Sequence, residues 1–271
     1  MLRAKLTPLN ILCAVSLAAF GTVVILLIVS DLAYLRGRGM GLGDVLGLLR
    51  DPSVLRAMRM SVATSLTTLV LILLTAVPVG YALSRFSFPG KALANSIVEA
   101  PIVLPPVVIG ISLLAFFNFG PGVPIKEFLS ARRLTLASGF GIVLCQYLVS
   151  VSYCIRSSKI AFDGVPSGYE DVARTLGCSQ WQAFWRVSLP LARNGILAGG
   201  LMGWARGLGV FGPLMVFIGT GPRVMVMPTK LWLELSVGNI EVSVAIALVM
   251  LALSLVALVT AHRLIPEGYA L

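Results

Sequence analysis

The stretch from Tyr169 to Pro190 reads YEDVARTLGCSQWQAFWRVSLP, and its residues suit recognition rather than bond making. Tyr169, Val172, Ala173 and Leu176 recur at the spacing of one helical face. Ser167 followed three residues later by Glu170 has the form of a capping box, and Gly177 suits the left-handed position that ends a helix. Ser179 and Gln182 repeat the capping pattern before Trp181, Phe184, Trp185 and Leu189, which share a second face. Pro190 fits the first turn of whatever helix follows. Two capped amphipathic helices either lie flat on a membrane surface or lay their apolar faces into a groove on a partner. Elsewhere, Arg206 is a lone charge within an apolar run, and Thr64, Thr68 and Gln146 are polar points on other apolar runs. A charge inside a bilayer costs at least ~2.5 kcal/mol, so Arg206 should face a cavity or a partner; either an anion or backbone carbonyls would satisfy it. The three polar side chains would line a path or make packing hydrogen bonds.

Other chemistries find little support. His262 is the single histidine, and the spacings of Cys13, Cys145, Cys154 and Cys178 fit neither a metal site nor a disulfide framework. The cysteines read as small buried hydrophobes. Gly90-Lys91 is followed by Ala92, and no glycine lies five residues before Gly90, so there is no phosphate-binding loop.

The elements that position these residues follow from composition. Of 271 residues, 58% are hydrophobic and 12% charged, about half the charged share of a soluble domain. The net charge of +10 suits anionic lipid head groups, and no basic run interleaved with aromatics points to nucleic acid. A bilayer core takes roughly 20 apolar residues per helix. Apolar windows predict six transmembrane helices at about 11–30, 57–84, 97–118, 136–156, 192–218 and 241–262. The fold expected is therefore an all-α, polytopic membrane helix bundle forming one domain over 1–271. Its first span, 11–30, is peripheral, its core spans run over about 57–262, and a polar loop occupies 157–190.

The first apolar run is too long for a signal peptide and reads as an anchor. Gly37–Gly43 is flexible, and Asp44–Arg59 reads as an interfacial helix. Pro78 together with Gly80, and the cluster Pro101, Pro105 and Pro106, should kink their spans. Lys and Arg are balanced between the two sides of the bundle, so the positive-inside rule does not choose an orientation.

The polar loop resembles the EAA motif of permease subunits of binding-protein-dependent ABC importers, which runs Glu-Ala-Ala, three residues, Gly, nine residues, Ile-x-Leu-Pro. Here Asp171-Val172-Ala173 is followed by three residues, Gly177, nine residues and Val187-Ser188-Leu189-Pro190. RFSFPGK at Arg85–Lys91, APIVLPPVVIGISLL at Ala100–Leu114 and RGLGVFG at Arg206–Gly212 are similar to the molybdate, tungstate and sulfate branch, with Val210 where that branch has Glu. LELSVGNIE within Pro228–Ala245 resembles the tail of the same permeases.

The resemblance implies a type I importer permease in a prokaryotic cytoplasmic membrane, with the loop and both termini cytoplasmic. It implies a second permease subunit, a copy of this chain or a close relative, and two ATPase subunits that supply ATP and Mg chemistry, this chain holding no cofactor or metal and catalysing nothing itself. A substrate-binding protein would dock outside. The ATPase-coupling residues would be Tyr169, Asp171, Val172, Ala173, Gly177, Trp181, Phe184, Leu189 and Pro190. Phosphate, ferric iron or polyamine importers are the alternatives within the class. An ion-coupled secondary transporter would want acids inside the spans, and Glu99 and Glu241 lie only at span ends.

Overall fold

The structure is a computed structural model that describes residues 8–131, 136–221 and 224–264. Arg3, Lys5, Arg132, Arg133 and Arg223, which enter the charge balance, lie outside the described residues, as does the side chain of His262. Every regular element among the described residues is helical. The order is α1 (Pro8–Gly37), α2 (Leu42–Leu48), α3 (Pro52–Arg85), α4 (Lys91–Val103), α5 (Pro106–Phe119), α6 (Val123–Ala131) and α7 (Gly139–Asp163). Then come α8 (Gly168–Thr175), α9 (Gln180–Ala183), a π-helical turn (Phe184–Ser188), α10 (Leu189–Leu208), α11 (Gly212–Phe217), α12 (Met227–Ser236) and α13 (Ile240–Leu264).

The centre of the bundle is α3, α7 and α10. Thr68 donates to Gln146 across 78 residues and Ser84 to Asp163 across 79, so α3 and α7 run parallel at a constant offset. On α10, Gly195, Gly199, Gly203 and Gly207 form a stripe four residues apart that runs antiparallel along α7. A β-carbon on Gly199 would lie 2.4 Å from the Ser157 β-carbon, and one on Gly203 3.1 Å from the Ser150 carbonyl oxygen. Small residues in register let two helix backbones approach closely, which is how helices gain packing energy where lipid removes the hydrophobic drive between them. Around this centre Ile72, Ala76, Val151, Cys154 and Ile155 form one apolar cluster, and Ile109, Leu113, Phe117, Ile142, Cys145 and Leu214 another.

Among the described residues three helices, α1, α3 and α7, are long and apolar enough to cross a membrane, and α4 with α5 adds a fourth if the bent pair is one span. The expected span at 97–118 is not one straight helix: α4 and α5 meet at 110° across Leu104 and Pro105. Pro105 and Pro106 lack the donors that would continue the ladder, and Pro106 instead opens α5. The expected span at 192–218 also breaks, between α10 and α11, where Gly209 closes one helix and Pro213 starts the next. Arg206 therefore lies in the last turn of α10, not deep within a continuous span, and there the helix dipole favours a cation.

The interfacial helix expected over Asp44–Arg59 is divided. Its first part is α2, and its second part is the opening of α3, which Asp51 caps by accepting from the Ser53 and Val54 amides. Cys145 and Cys154 are buried, whereas Cys13 is exposed on α1 and does not follow the buried reading. The central apolar window of α1 is unburied, and this helix touches the rest near its end, where Leu35 joins Val45 and Ala245.

Candidate coupling face

The C-terminal ends of α3 and α7, the N-terminal end of α10 and the short α8 and α9 meet at one end of the bundle. Helix α8 stops as its sequence dictates. Gly177 adopts φ +91°, its amide bonds the Arg174 carbonyl, and the Cys178 amide bonds the Ala173 carbonyl. That is the Schellman closure, which any residue with a β-carbon would strain. Helix α9 starts with the reciprocal box: Gln182 N donates to Ser179 Oγ at 3.2 Å and Ser179 N to Gln182 Oε1 at 2.9 Å.

The apolar face of α8 is left exposed by the described residues. Tyr169 is 56% exposed, Val172 59% and Leu176 81%, and no residue of α8 is buried. Trp181 and Trp185 are also exposed, their rings edge to face at 5.6 Å. Asp171 is exposed and lies 4.0 Å from Arg174, Ala173 and Leu189 are half-buried, and Pro190 is exposed in the first turn of α10. Phe184, expected on the docking face, is turned inward against Tyr81 (4.8 Å) and Phe162 (6.2 Å). Phe184 opens the π-helical turn over Phe184–Ser188, and its ring completes the buried cluster of Tyr81, Phe162, Ala192 and Ile196. Between these aromatics and Leu73, Leu74, Val77 and Pro78 of α3 lies an apolar cavity of about 910 Å³.

The expected Ser167–Glu170 box does not form. Ser167 makes no side-chain cap, and Glu170 turns into the bundle. Its Oε1 accepts from Arg85 Nε at 2.7 Å and Ser188 Oγ at 2.6 Å, and its Oε2 from Tyr81 OH at 2.9 Å. Arg85 Nη2 also donates to the Val165 carbonyl at 2.7 Å. Burial alone would raise the Glu170 carboxyl, but the donors Ser188, Arg85 and Tyr81 and the Arg85 charge together hold it below its usual range. The neighbouring Asp163 takes Ser84 Oγ at 2.6 Å and Lys159 Nζ at 2.8 Å. Arg85 and Glu170 are 85 residues apart, so local pattern gives no signal for this node.

Of the polar residues expected near a path, Thr64 is buried and bonds the Met60 carbonyl at 2.7 Å. Thr68 and Gln146 are buried and bonded to each other at 3.0 Å between α3 and α7. Arg206 is exposed and makes no hydrogen bond or ion pair among the described residues. No group of three His, Cys, Asp or Glu among the described residues could hold a metal.

With this geometry in hand, comparison with known proteins is specific. The chain is 38% identical over 168 residues to the molybdate/tungstate transport system permease protein WtpB of Thermococcus kodakarensis, covering 62% of each chain. It is 37% identical over 203 residues to a probable molybdenum ABC transporter permease of Haloferax volcanii (75% of this chain, 72% of that one). To the molybdenum transport system permease ModB of Escherichia coli it is 32% identical over 213 residues (72% and 90%). The chain thus spans about 62% of the length of the WtpB relatives it matches. Its fold resembles a bacterial ABC transporter that imports alginate, with TM-score 0.75, 14% identity and 94% of each chain covered. It also resembles the inward-facing MetNI methionine ABC transporter, with TM-score 0.61, 15% identity and 78% and 94% coverage. Residues 76–267 match the family described as binding-protein-dependent transport system inner membrane component, and this chain belongs to that family.

Proposed function

We propose that this chain is the permease subunit of an ATP-driven importer that moves a tetrahedral oxyanion, molybdate or tungstate before sulfate, into the cell. One observation carries the reading: α8 ends in a Schellman turn at Gly177 and leaves Tyr169, Val172 and Leu176 exposed, with no burying partner among the described residues. Burying such side chains on a partner is worth roughly 1.5–3 kcal/mol each. The family and the names of the relatives support an ATPase as that partner and an oxyanion as cargo.

In this reading the spans are α1, α3, α4 with α5, α7, α10 with α11, and α13. Helix α10 falls short of the apolarity of α1 because its glycine face lies against α7 and needs no lipid-soluble side chains. The α8–α9 end and both termini are cytoplasmic. A second permease subunit, a copy or a close relative, completes the pathway; two ATPase subunits with ATP and Mg dock on α8 and α9; a binding protein delivers substrate outside. Thr64, Thr68 and Gln146 serve helix packing in this conformation. In this reading Arg206, which makes no hydrogen bond or ion pair among the described residues, faces the second subunit or the anion.

The test is reconstitution with the ATPase and a molybdate-binding protein in liposomes. ATP-dependent molybdate uptake that excess tungstate inhibits is the expected result. If a phosphate-, iron- or polyamine-binding protein alone stimulates hydrolysis, the cargo assignment is wrong and the permease role stands. If no ATPase associates with the chain, the permease reading is wrong.

A further inference from the structure

Helix α8 sends no buried side chain into the bundle, and its apolar face points outward. Its exposed pair Asp171–Arg174, at 4.0 Å, ties it to nothing beyond itself. Glu170 is the exception. Its carboxylate gathers donors from the last turn of α3 (Tyr81 and Arg85) and from the π-helical turn that leads into α10 (Ser188). Arg85 extends the same node to the link between α7 and α8 through the Val165 carbonyl. The side chains of Arg85 and Glu170 are 13% and 12% exposed, so the pair is shielded from water and geometrically fixed. The π-helical turn contributes directly, since its wide winding carries Ser188 to full burial beside Glu170. Glu170 and the acid of the EAA pattern, Asp171, are sequence neighbours facing opposite ways.

We propose that Glu170 is the positioning residue of the coupling segment, the joint through which displacement of α8 reaches α3 and α10. The inference rests on the reading of α8 as the ATPase contact and adds to it the route by which force leaves that contact. Asp171 faces the partner; Glu170 faces the bundle. With the node intact, α8, the end of α3 and the start of α10 move as one body. With it broken, α8 can follow the ATPase while the spans stay behind. A network with two discrete arrangements is the physical form such coupling takes.

The experiment uses the full transporter in liposomes, with its ATPase and binding protein, and reads solute uptake per ATP hydrolysed. Loss of folding lowers uptake and hydrolysis together, so the ratio separates a joint from a mere stabiliser. Glu170→Gln should keep ATPase association and lower the ratio on the order of tenfold, within the usual span of coupling effects. Tyr81→Phe deletes one donor, keeps the ring contacts and folds without difficulty; its ratio should fall about threefold. The double variant R85M/E170Q removes the uncompensated charge, so any loss of folded transporter in Glu170→Gln should be restored while the ratio stays low. A wild-type ratio in Glu170→Gln or Tyr81→Phe overturns the proposal. So does a double variant whose ratio recovers together with its assembly, which would show the node only holds the fold. If the wild-type chain recruits no ATPase, it is the docking reading that fails, a result distinct from either.

Discussion

At the scale of single residues, Gly177 and Glu170 do opposite work. Gly177 is fixed by its own backbone: φ +91° costs a residue with a β-carbon roughly 1–2 kcal/mol. Nothing lies within 4 Å of where a β-carbon would sit, so a larger side chain meets strain but no clash. Gly177→Val should therefore leave the chain folded, loosen the end of α8 and lower uptake per ATP several-fold, read in the reconstituted transporter. Glu170 has a pH signature. Its carboxyl ordinarily titrates near 4.5 and is held lower in the folded chain. A depressed folded value means the stability it contributes is full above about 4.5 and is lost as pH falls through the folded value. Thermal unfolding of wild type and Glu170→Gln should differ most near neutral pH, and the gap should narrow below about pH 4.5 and close only once pH falls past the folded value. A gap that persists unchanged in acid would show that the charge is not what matters.

These two residues also show what a sequence discloses. The Gly177 turn and the Ser179–Gln182 box are closed by neighbours within five residues, so their spacing alone announced them. Glu170 had the right spacing for a cap with Ser167, yet three tertiary donors outbid one local amide. Such donors come from chain 18 to 89 residues away, which no local pattern carries.

At the scale of elements, the α10 glycines govern how closely α10 meets α7. A β-carbon at Gly203 would sit 2.9 Å from Ile72 Cδ1 and 3.1 Å from the Ser150 carbonyl oxygen, and only the first can yield. Gly203→Val should push the helices apart and cost about 1–3 kcal/mol of stability, as in other overpacked cores, so the thermal midpoint and membrane yield of the chain should fall by more than in Gly177→Val. The stripe was visible in the sequence at 195, 199, 203 and 207, but glycine at that spacing has no meaning until a partner helix is known. The reverse holds for α4 and α5. Hydropathy is continuous across Leu104 and Pro105, and it reports solvent preference, not direction, so a 110° bend passed as one straight span. The apolar face of α8 was legible because its exposed side chains keep a helical period, whereas Phe184, given the same kind of face by its spacing, is buried where the π-helical turn begins.

At the scale of the whole molecule, sidedness is the property that charge counting leaves open and geometry makes testable. Because α3 and α7 are parallel, Arg85, Asp163 and the α8–α9 segment share one end of the bundle. The opposite end holds the Asp51 cap and the start of α7 at Gly139 beside Met60. A single membrane orientation therefore places Cys178 and position 50, next to that cap, in different compartments. Cys178 is half-exposed next to the Gly177 turn, Cys145 and Cys154 are buried, and Arg50 is exposed. In intact cells, a membrane-impermeant maleimide should label an introduced cysteine in Arg50→Cys and leave Cys178 untouched. Opening the membrane should then expose Cys178, while Cys145 and Cys154 stay unreactive throughout. Labelling of Cys178 from outside would invert the orientation, put the α8 face where no ATPase can reach it, and remove the basis for the proposed coupling.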